Sequence, residues 1–338
     1  MAIAAIAFAM TLGFFELLLR WQFGPPARFT YPQEYYQDDP EIGHALVPNQ
    51  EAFTHHVPIR TNSHGLRDAE FAKQPPPGVS RVIAIGDSQT YGEGLPSEGT
   101  WPKQLEAMLN RDRVRRSQWQ VVNAGLSASD TWQHAIILDR VLNWYDADVV
   151  VLAIYVNDVT ARWMPGPASE RTNSMQKRVG YLLKRSAVLS LARRAFLRSG
   201  HQDMELEILK GESEVPQIEA GWETMARSLD QMRALCRARG IELFAAILPR
   251  KDQVAGLTPE RGYQDRVIRI LDAVGIEHAD LLVPMSEAYP TLGERLFIPW
   301  DGHNATEANT IVADQVEKLL RRASRGDHAH GATSRRGR

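Results

Sequence analysis

"VIAIGDSQTYGEG", residues 82–94, runs from four apolar residues into a glycine, an acid, a serine and two further glycines. The apolar run reads as a strand buried on both faces, and the glycine-broken stretch after it as a turn and a helix start. Asp and Ser are favoured where helices begin, so capping alone accounts for Asp87 and Ser88. The serine becomes chemistry only if partners for it lie at the ends of other strands.

Beyond this stretch the chain alternates. "WQVVNAG" (119–125), "DVVVLAIYVND" (148–158), "IELFAAILP" (241–249) and "IEHADL" (276–281) read as further strands, with helical patterns between them. The clearest helix has one apolar face, Ile218, Trp222, Met225, Leu229, Met232, Leu235 and Cys236, closed by Gly240. That stripe reads as core packing. Strand–helix alternation implies an α/β fold whose parallel sheet is covered on both faces.

The 338 residues, 43% of them hydrophobic, suffice for one large domain or two modest ones. Lys and Arg total 39 against 41 Asp and Glu, so no global field favours nucleic acid as a partner. The single cysteine, Cys236, excludes an internal disulfide and cysteine-rich zinc sites. His55, His56, His328 and His330 lack metal-site spacing with carboxylates and read as solvated loop histidines. Neither a metal nor an organic cofactor is expected.

The organisation is uneven along the chain. Residues 1–23 are apolar from Met1 to Leu19 except at Thr11, Gly13 and Glu16, a reach of roughly 28 Å, about one hydrocarbon core. Without a basic n-region or a small-residue cleavage site, the segment reads as a single-pass membrane anchor rather than a signal peptide. Residues 24–79 are rich in Pro, Tyr, Asn and His and predict an irregular lead-in with short strands, ending in the stiff "QPPPG" linker (74–78). The main domain is expected over 80–322, with a helical insertion at about 159–216. Within it, residues 174–198 hold seven basic residues and no acidic one, interleaved with leucines: a basic amphipathic stretch that suits a solvated face or a membrane surface. The Arg-rich tail 323–338 predicts disorder.

A serine hydroxyl needs a base to take its proton. "DGH" (301–303) offers one: in an extended loop Asp301 could hold the Nδ1 proton of His303 while Nε2 faces Ser88. Asn304 with Glu307 reads as the next helix start, although "DGH" taken alone reads better as a simple turn before that helix. An acyl-transfer site also needs donors for a developing oxyanion. Gly125 can present its backbone N–H closely, and Asn157 can offer its side-chain amide at the end of the third strand. Strand-end turn chemistry explains each by itself. Their order after successive strands, with "DGH" before the last helix, is what joins them.

As an ordered set these stretches resemble the SGNH (GDSL) hydrolase superfamily. "GDSQTYG" is similar to its first block, Gly125 to the second, Asn157 to the third and "DGH" to the last. The resemblance implies a flavodoxin-like three-layer α/β/α fold, Ser88 as nucleophile, His303 as base and Asp301 as its orienting acid. It also implies an oxyanion hole of the Ser88 N–H, the Gly125 N–H and the Asn157 amide. Tyr155 stands where the third block usually has glycine, which bears on the shape of the cleft. "DPEIGHALVPN" (39–49) and "TNSHGLRDAEF" (61–71) resemble the lead-in of membrane-anchored members linked to surface polysaccharide or lipid modification.

The implied function is hydrolysis of O-acyl esters of a carbohydrate or lipid. Acyl transfer at the same site and a catalytically silent, membrane-tethered glycan-binding scaffold are the alternatives. Arg20 and Arg28 would place the flank of the anchor in the cytoplasm by charge, whereas the resemblance implies an extracytoplasmic domain. An α/β-hydrolase elbow is excluded because no Gly-x-Ser-x-Gly surrounds Ser88. "GDSQTYGEG" also lacks the glycine spacing of a dinucleotide site.

Overall fold

The apolar runs pair side by side. The structure, a computed structural model, describes residues 2–23, 35–55, 57–111, 118–159, 186–189, 191–192, 204–299 and 302–334. Two antiparallel hairpins come first: β1 (Tyr36–Asp39) with β2 (Gly43–Leu46), and β3 (Glu51–Thr54) with β4 (Val57–Arg60). The main sheet lies after them, built from β5 (Val79–Gly86), β6 (Gln118–Gly125), β7 (Val149–Ile154), β8 (Glu242–Ile247) and β9 (Glu277–Asp280). Its order is β6-β5-β7-β8-β9, and every neighbouring pair is parallel.

Among the described residues the helices include α1 (Ala2–Phe23), α2 (Ser88–Tyr91), α3 (Trp101–Leu109), α4 (Thr131–Trp144), α5 (Pro216–Ala238), α6 (Lys251–Val254), α7 (Gly262–Val274), α8 (Leu282–Leu292) and α9 (Thr306–Ser334). Successive strand residues point to opposite faces, so each central strand feeds two cores. Ile83, Ile85, Val150, Leu152 and Ala245 pack with residues of α4, α5 and α7. Val82, Ala84, Val149, Val151 and Ala246 pack with α3, α8 and α9. The result is the three-layer α/β/α architecture expected. Each Val, Ile or Leu among them contributes roughly 1.5–3 kcal/mol when fully buried.

The lead-in is packed rather than loose. Tyr35, Ile42, Leu46, Ile59 and Leu66 are buried in the same core as α4 and α5. Two boundaries differ from the sequence reading. The third strand stops at Ile154, not at Asp158, because the Asp158 carboxylate accepts the Tyr155 N–H (2.9 Å) and the Asp158 N–H returns to the Tyr155 carbonyl (2.9 Å). Those bonds curl residues 156–159 into a 3-10 turn. The tail also differs: α9 continues to Ser334, since no proline interrupts a helix already begun and propagation adds one bond per residue. The basic residues of the 174–198 stretch lie outside the described residues, as does Arg28.

Topology fixes where a site can form. From β5 the chain crosses to β6 on one side and then to β7 on the other. The connections therefore diverge at the carboxyl end of β5, the switch point where open parallel sheets leave a crevice.

Candidate active site

Ser88 stands at that switch point, as the first residue of α2. The cap of this helix is Asp87, whose Oδ1 accepts the Gln89 N–H at 2.9 Å. Ser88 is thereby left over from capping. Its Oγ lies 2.8 Å from His303 Nε2 and 3.4 Å from Asp87 Oδ2. A neutral imidazole at 2.8 Å can accept the hydroxyl proton if its own proton sits on Nδ1, an assignment made from the bonding.

His303 reaches Ser88 across 215 residues because its loop is tied at several points. Phe297 and Asn304 form an antiparallel bridge, and the Ile298 N–H donates to the His303 carbonyl at 2.8 Å. The Asn304 N–H donates to Gln89 Oε1 at 3.0 Å, so the residue after Ser88 holds the residue after His303. Gly302 makes the bend with φ +90°, a backbone state few L-residues adopt. Asp301 lies outside the described residues.

Gly125 ends β6 directly beside Gly86 of β5. A Cβ there would stand 2.2 Å from the Tyr91 nitrogen, so only glycine lets α2 settle against this strand end. Its N–H donates to Asn123 Oδ1 at 3.0 Å. Asn157 sits in the turn after β7, and its side chain hydrogen-bonds the buried Asp87 carboxylate. Burial raises the Asp87 carboxyl above its ordinary range, opposed by the Gln89 N–H, the nearby His303 and Asn157. Ser88, His303, Gly125 and Asn157 are thus gathered at the carboxyl ends of three neighbouring strands.

The lead-in braces the same corner. The buried Arg67 guanidinium donates to the carbonyls of Tyr91 (2.7 Å), Gly92 (2.5 Å) and Leu95, and lies over the Tyr91 ring. Asp68 accepts the Asn123 N–H at 2.7 Å and pairs with Lys103 at 2.8 Å. His55 is half-buried rather than solvated, with Nε2 3.6 Å from Glu93. Glu93 also accepts from Thr54 (2.9 Å) and Ser127 (2.7 Å). Sequence reasoning missed the roles of Arg67, Asp68 and Gln89. "TNSHGLRDAEF" is the one signal pointing at the first two.

A second serine and histidine meet in the interior. Ser129 Oγ is 2.8 Å from His134 Nε2 and donates to the Leu126 carbonyl at 2.6 Å. His134 Nδ1 faces Asp158 Oδ1 at 3.8 Å. Burial lowers this imidazole to about 3. Among the described residues, no group of three His, Cys, Asp or Glu side chains converges as a metal site.

A family model described as GDSL-like lipase/acylhydrolase matches residues 84–304. No curated protein matches the chain. Among solved structures, TesA is 15% identical, with 71% of this chain and 98% of that one covered at a TM-score of 0.44. The psychrotrophic esterase EstA from Pseudoalteromonas sp. is 12% identical, covering 73% and 99%, also at 0.44. A two-domain esterase active on acetylated mannans is 12% identical, covering 74% of this chain and 50% of that one at 0.43.

Proposed function

The chain belongs to the GDSL-like lipase/acylhydrolase family as a serine hydrolase acting on esters, and we propose that it removes O-acyl groups from a carbohydrate or lipid through Ser88, His303 and Asp301. The observation that carries this reading is the 2.8 Å contact between Ser88 Oγ and His303 Nε2 at the switch point of the sheet.

Ser88 Oγ attacks the acyl carbonyl carbon while its proton passes to His303 Nε2. Asp301 holds the Nδ1 proton and stabilises the imidazolium. The carbonyl oxygen becomes an oxyanion, met by the Ser88 and Gly125 N–H groups and the Asn157 amide. In the free protein Gly125 donates to Asn123 Oδ1, so the oxyanion shares or replaces that bond. One Asn157 N–H is oriented by Asp87, and the other is assigned to the oxyanion. The bond to the leaving alcohol then breaks, and His303 returns its proton to that oxygen. Water attacks the acyl-enzyme, gives a proton to His303 and releases the acid, and Ser88 regains its hydroxyl proton.

One N-terminal helix, Ala2–Gln22, is long and apolar enough to cross a membrane. In this reading it anchors the enzyme beside its substrate, with the catalytic domain on the extracytoplasmic side. The test is a screen of acetylated sugars and of short- and long-chain acyl esters with the full chain in detergent, beside Ser88→Ala. Turnover should fall by at least ~10³-fold in the variant, and a fluorophosphonate should label Ser88 alone. Turnover that survives Ser88→Ala overturns the assignment.

A further inference from the structure

Glu16 is the one acidic residue of α1, in a helix otherwise dominated by Ala, Ile, Leu and Phe. With Ala2 at one face of a ~30 Å hydrocarbon core, Arg20 stands ~27 Å along, near the opposite face. Glu16 then lies one turn, ~6 Å, below Arg20 and ~9 Å inside that face. A charged side chain at such depth is unfavourable unless the protein satisfies it.

The chain does satisfy it. The Glu16 carboxylate accepts from Arg20 Nε (2.7 Å), Ser186 Oγ (2.8 Å), the Ala187 N–H (2.8 Å) and the Val188 N–H (3.1 Å). Three of these donors belong to the insertion, some 170 residues away. Residues 187–189 and 191–192 are helical, and the first N–H groups of a helix lack intrahelical acceptors. Ser186 Oγ takes the Leu189 N–H at 3.2 Å, and Glu16 takes the two before it. Each side answers a deficit of the other: a carboxylate without water meets N–H groups without acceptors. Ala187 is buried, whereas Leu189 and Leu191 are 46% and 50% exposed. The stretch containing them, 174–198, carries seven basic residues and no acidic one.

We propose that Glu16 clasps the insertion to the membrane anchor, so that residues 186–189 and 191–192 lie in the bilayer interface with Leu189 and Leu191 among acyl chains, and that an anionic lipid surface is the partner of the basic stretch that contains them. The inference rests on reading α1 as an anchor. It adds that α1 is a retained part of the fold, because removing it would strip the cap from residues 186–188. Two exposed leucines beside the hydrocarbon boundary face the one solvent that suits them, and a sequence stretch with seven basic residues and no acidic one is of the composition that anionic headgroups attract.

The test places a single label on the segment. Cys236 is buried and its thiol is pushed up to about 11, so it stays unreactive beside a new exposed cysteine. The full chain with Leu191→Cys, carrying an environment-sensitive fluorophore, is reconstituted into phosphatidylcholine vesicles with and without phosphatidylglycerol. Flotation after a carbonate wash reports the anchor separately, and ester turnover reports that the labelled chain is folded. The expected result is flotation with blue-shifted emission, larger in the anionic vesicles. Adding Glu16→Ala makes α1 more apolar, so flotation should persist while the blue shift is lost. Ser186→Ala should lose part of it. Flotation with water-like emission, or an equal shift in neutral vesicles and in the Glu16→Ala chain, overturns the clasp and leaves the anchor standing. Protein that washes off the vesicles overturns the anchor and the clasp together.

Discussion

Two serine–histidine pairs occupy this molecule at the same 2.8 Å separation, Ser88 with His303 and Ser129 with His134. Each has an acid in prospect, Asp301 two residues before His303 and Asp158 at 3.8 Å from His134. They differ in what the serine does with its one proton. Ser129 is committed, because the Leu126 carbonyl at 2.6 Å can only accept and must take that proton. His134 Nε2 is therefore the donor to Ser129, and its Nδ1 lone pair faces the Asp158 carboxylate without bonding to it. Ser88 has no such carbonyl: its acceptor-only neighbour is the Asp87 carboxylate at a longer 3.4 Å, and the imidazole at 2.8 Å is placed to take its proton. Access differs too: Ser129 and His134 are completely buried, whereas Ser88 keeps 8% of its surface and His303 is only half-buried. A serine–histidine contact is thus not a site by itself. In the reading proposed for Ser88, the direction of the proton and an open approach to the oxygen are what set it apart from Ser129.

The inner pair still touches the chemistry at one remove. Ser129 and His134 join the loop after Gly125 to helix α4, and Asp158 shapes the turn that presents Asn157. The expected division is that the outer pair sets rate and the inner pair sets stability. The sharpest break comes from exchanging the two histidines for residues that cannot do their work. His303→Ala should lower kcat by roughly 10²–10⁴-fold, the usual contribution of a positioned acid–base group, with the melting temperature nearly unchanged. His134→Asn should lower the melting temperature while kcat, measured well below the transition, falls far less. Reversed outcomes in rate and melting assays would exchange the roles assigned to the two pairs.

A narrower comparison uses adjacent residues. The Asn157 amide is assigned to the oxyanion and Asp158 to the turn. Asn157→Ala should lower kcat by about 10²–10³-fold with a modest change in KM, because the lost donor matters most after the carbonyl oxygen becomes negative. Asp158→Ala should chiefly lower stability, since the Tyr155 N–H loses its acceptor at 2.9 Å. Equal losses of kcat at matched folded fractions would remove Asn157 from the oxyanion hole.

Much of the fold and part of the site are legible in the chain. Four of the five strands, β5 to β8, show as apolar stretches because both faces of a parallel sheet are covered, and β7 in particular is buried throughout, whereas the edge strand β9 is only half-buried and holds Glu277, His278 and Asp280. The ends of β5 and β6 show as Gly86 and Gly125, and the turn after β7 shows as Asn157, because a tight turn or close approach restricts residue type. The bracing is not legible. Arg67 and Gln89 act through single bonds to distant backbone atoms, and such bonds leave no period in the sequence. The end of β7 is overrun in a sequence reading because Tyr155 and Val156 continue the apolar run, and only the Asp158 side chain, folding back on Tyr155, stops it. His134 reads as one more polar residue in "TWQHAIIL", and nothing local distinguishes a histidine sealed in the core from one in water.

The smallest expected effect is also the most specific to the inner pair, and it is read from pH. Folding lowers His134 from an ordinary 6.5 to about 3, and the cause is burial. Above pH 6.5 the imidazole is neutral in both states and no penalty applies. As pH falls below 6.5 the unfolded chain binds a proton that the folded chain refuses, so stability drops, by up to about 1.4 kcal/mol per pH unit. The loss continues until the folded-state value near 3 is reached, and by pH 4.5 it amounts to roughly 2–3 kcal/mol. His44, lowered by burial as well, bends the curve the same way, so the informative quantity is the difference between two chains. His134→Asn should be less stable than the parent at pH 7.5 and lose less on acidification, the two denaturation midpoints converging by about pH 4.5. Curves that stay parallel from pH 7.5 to 4.5 would mean that His134 takes up its proton in the folded state too. The inner pair would then be an imidazolium against the Asp158 carboxylate, and its contrast with Ser88 and His303 would rest on access alone.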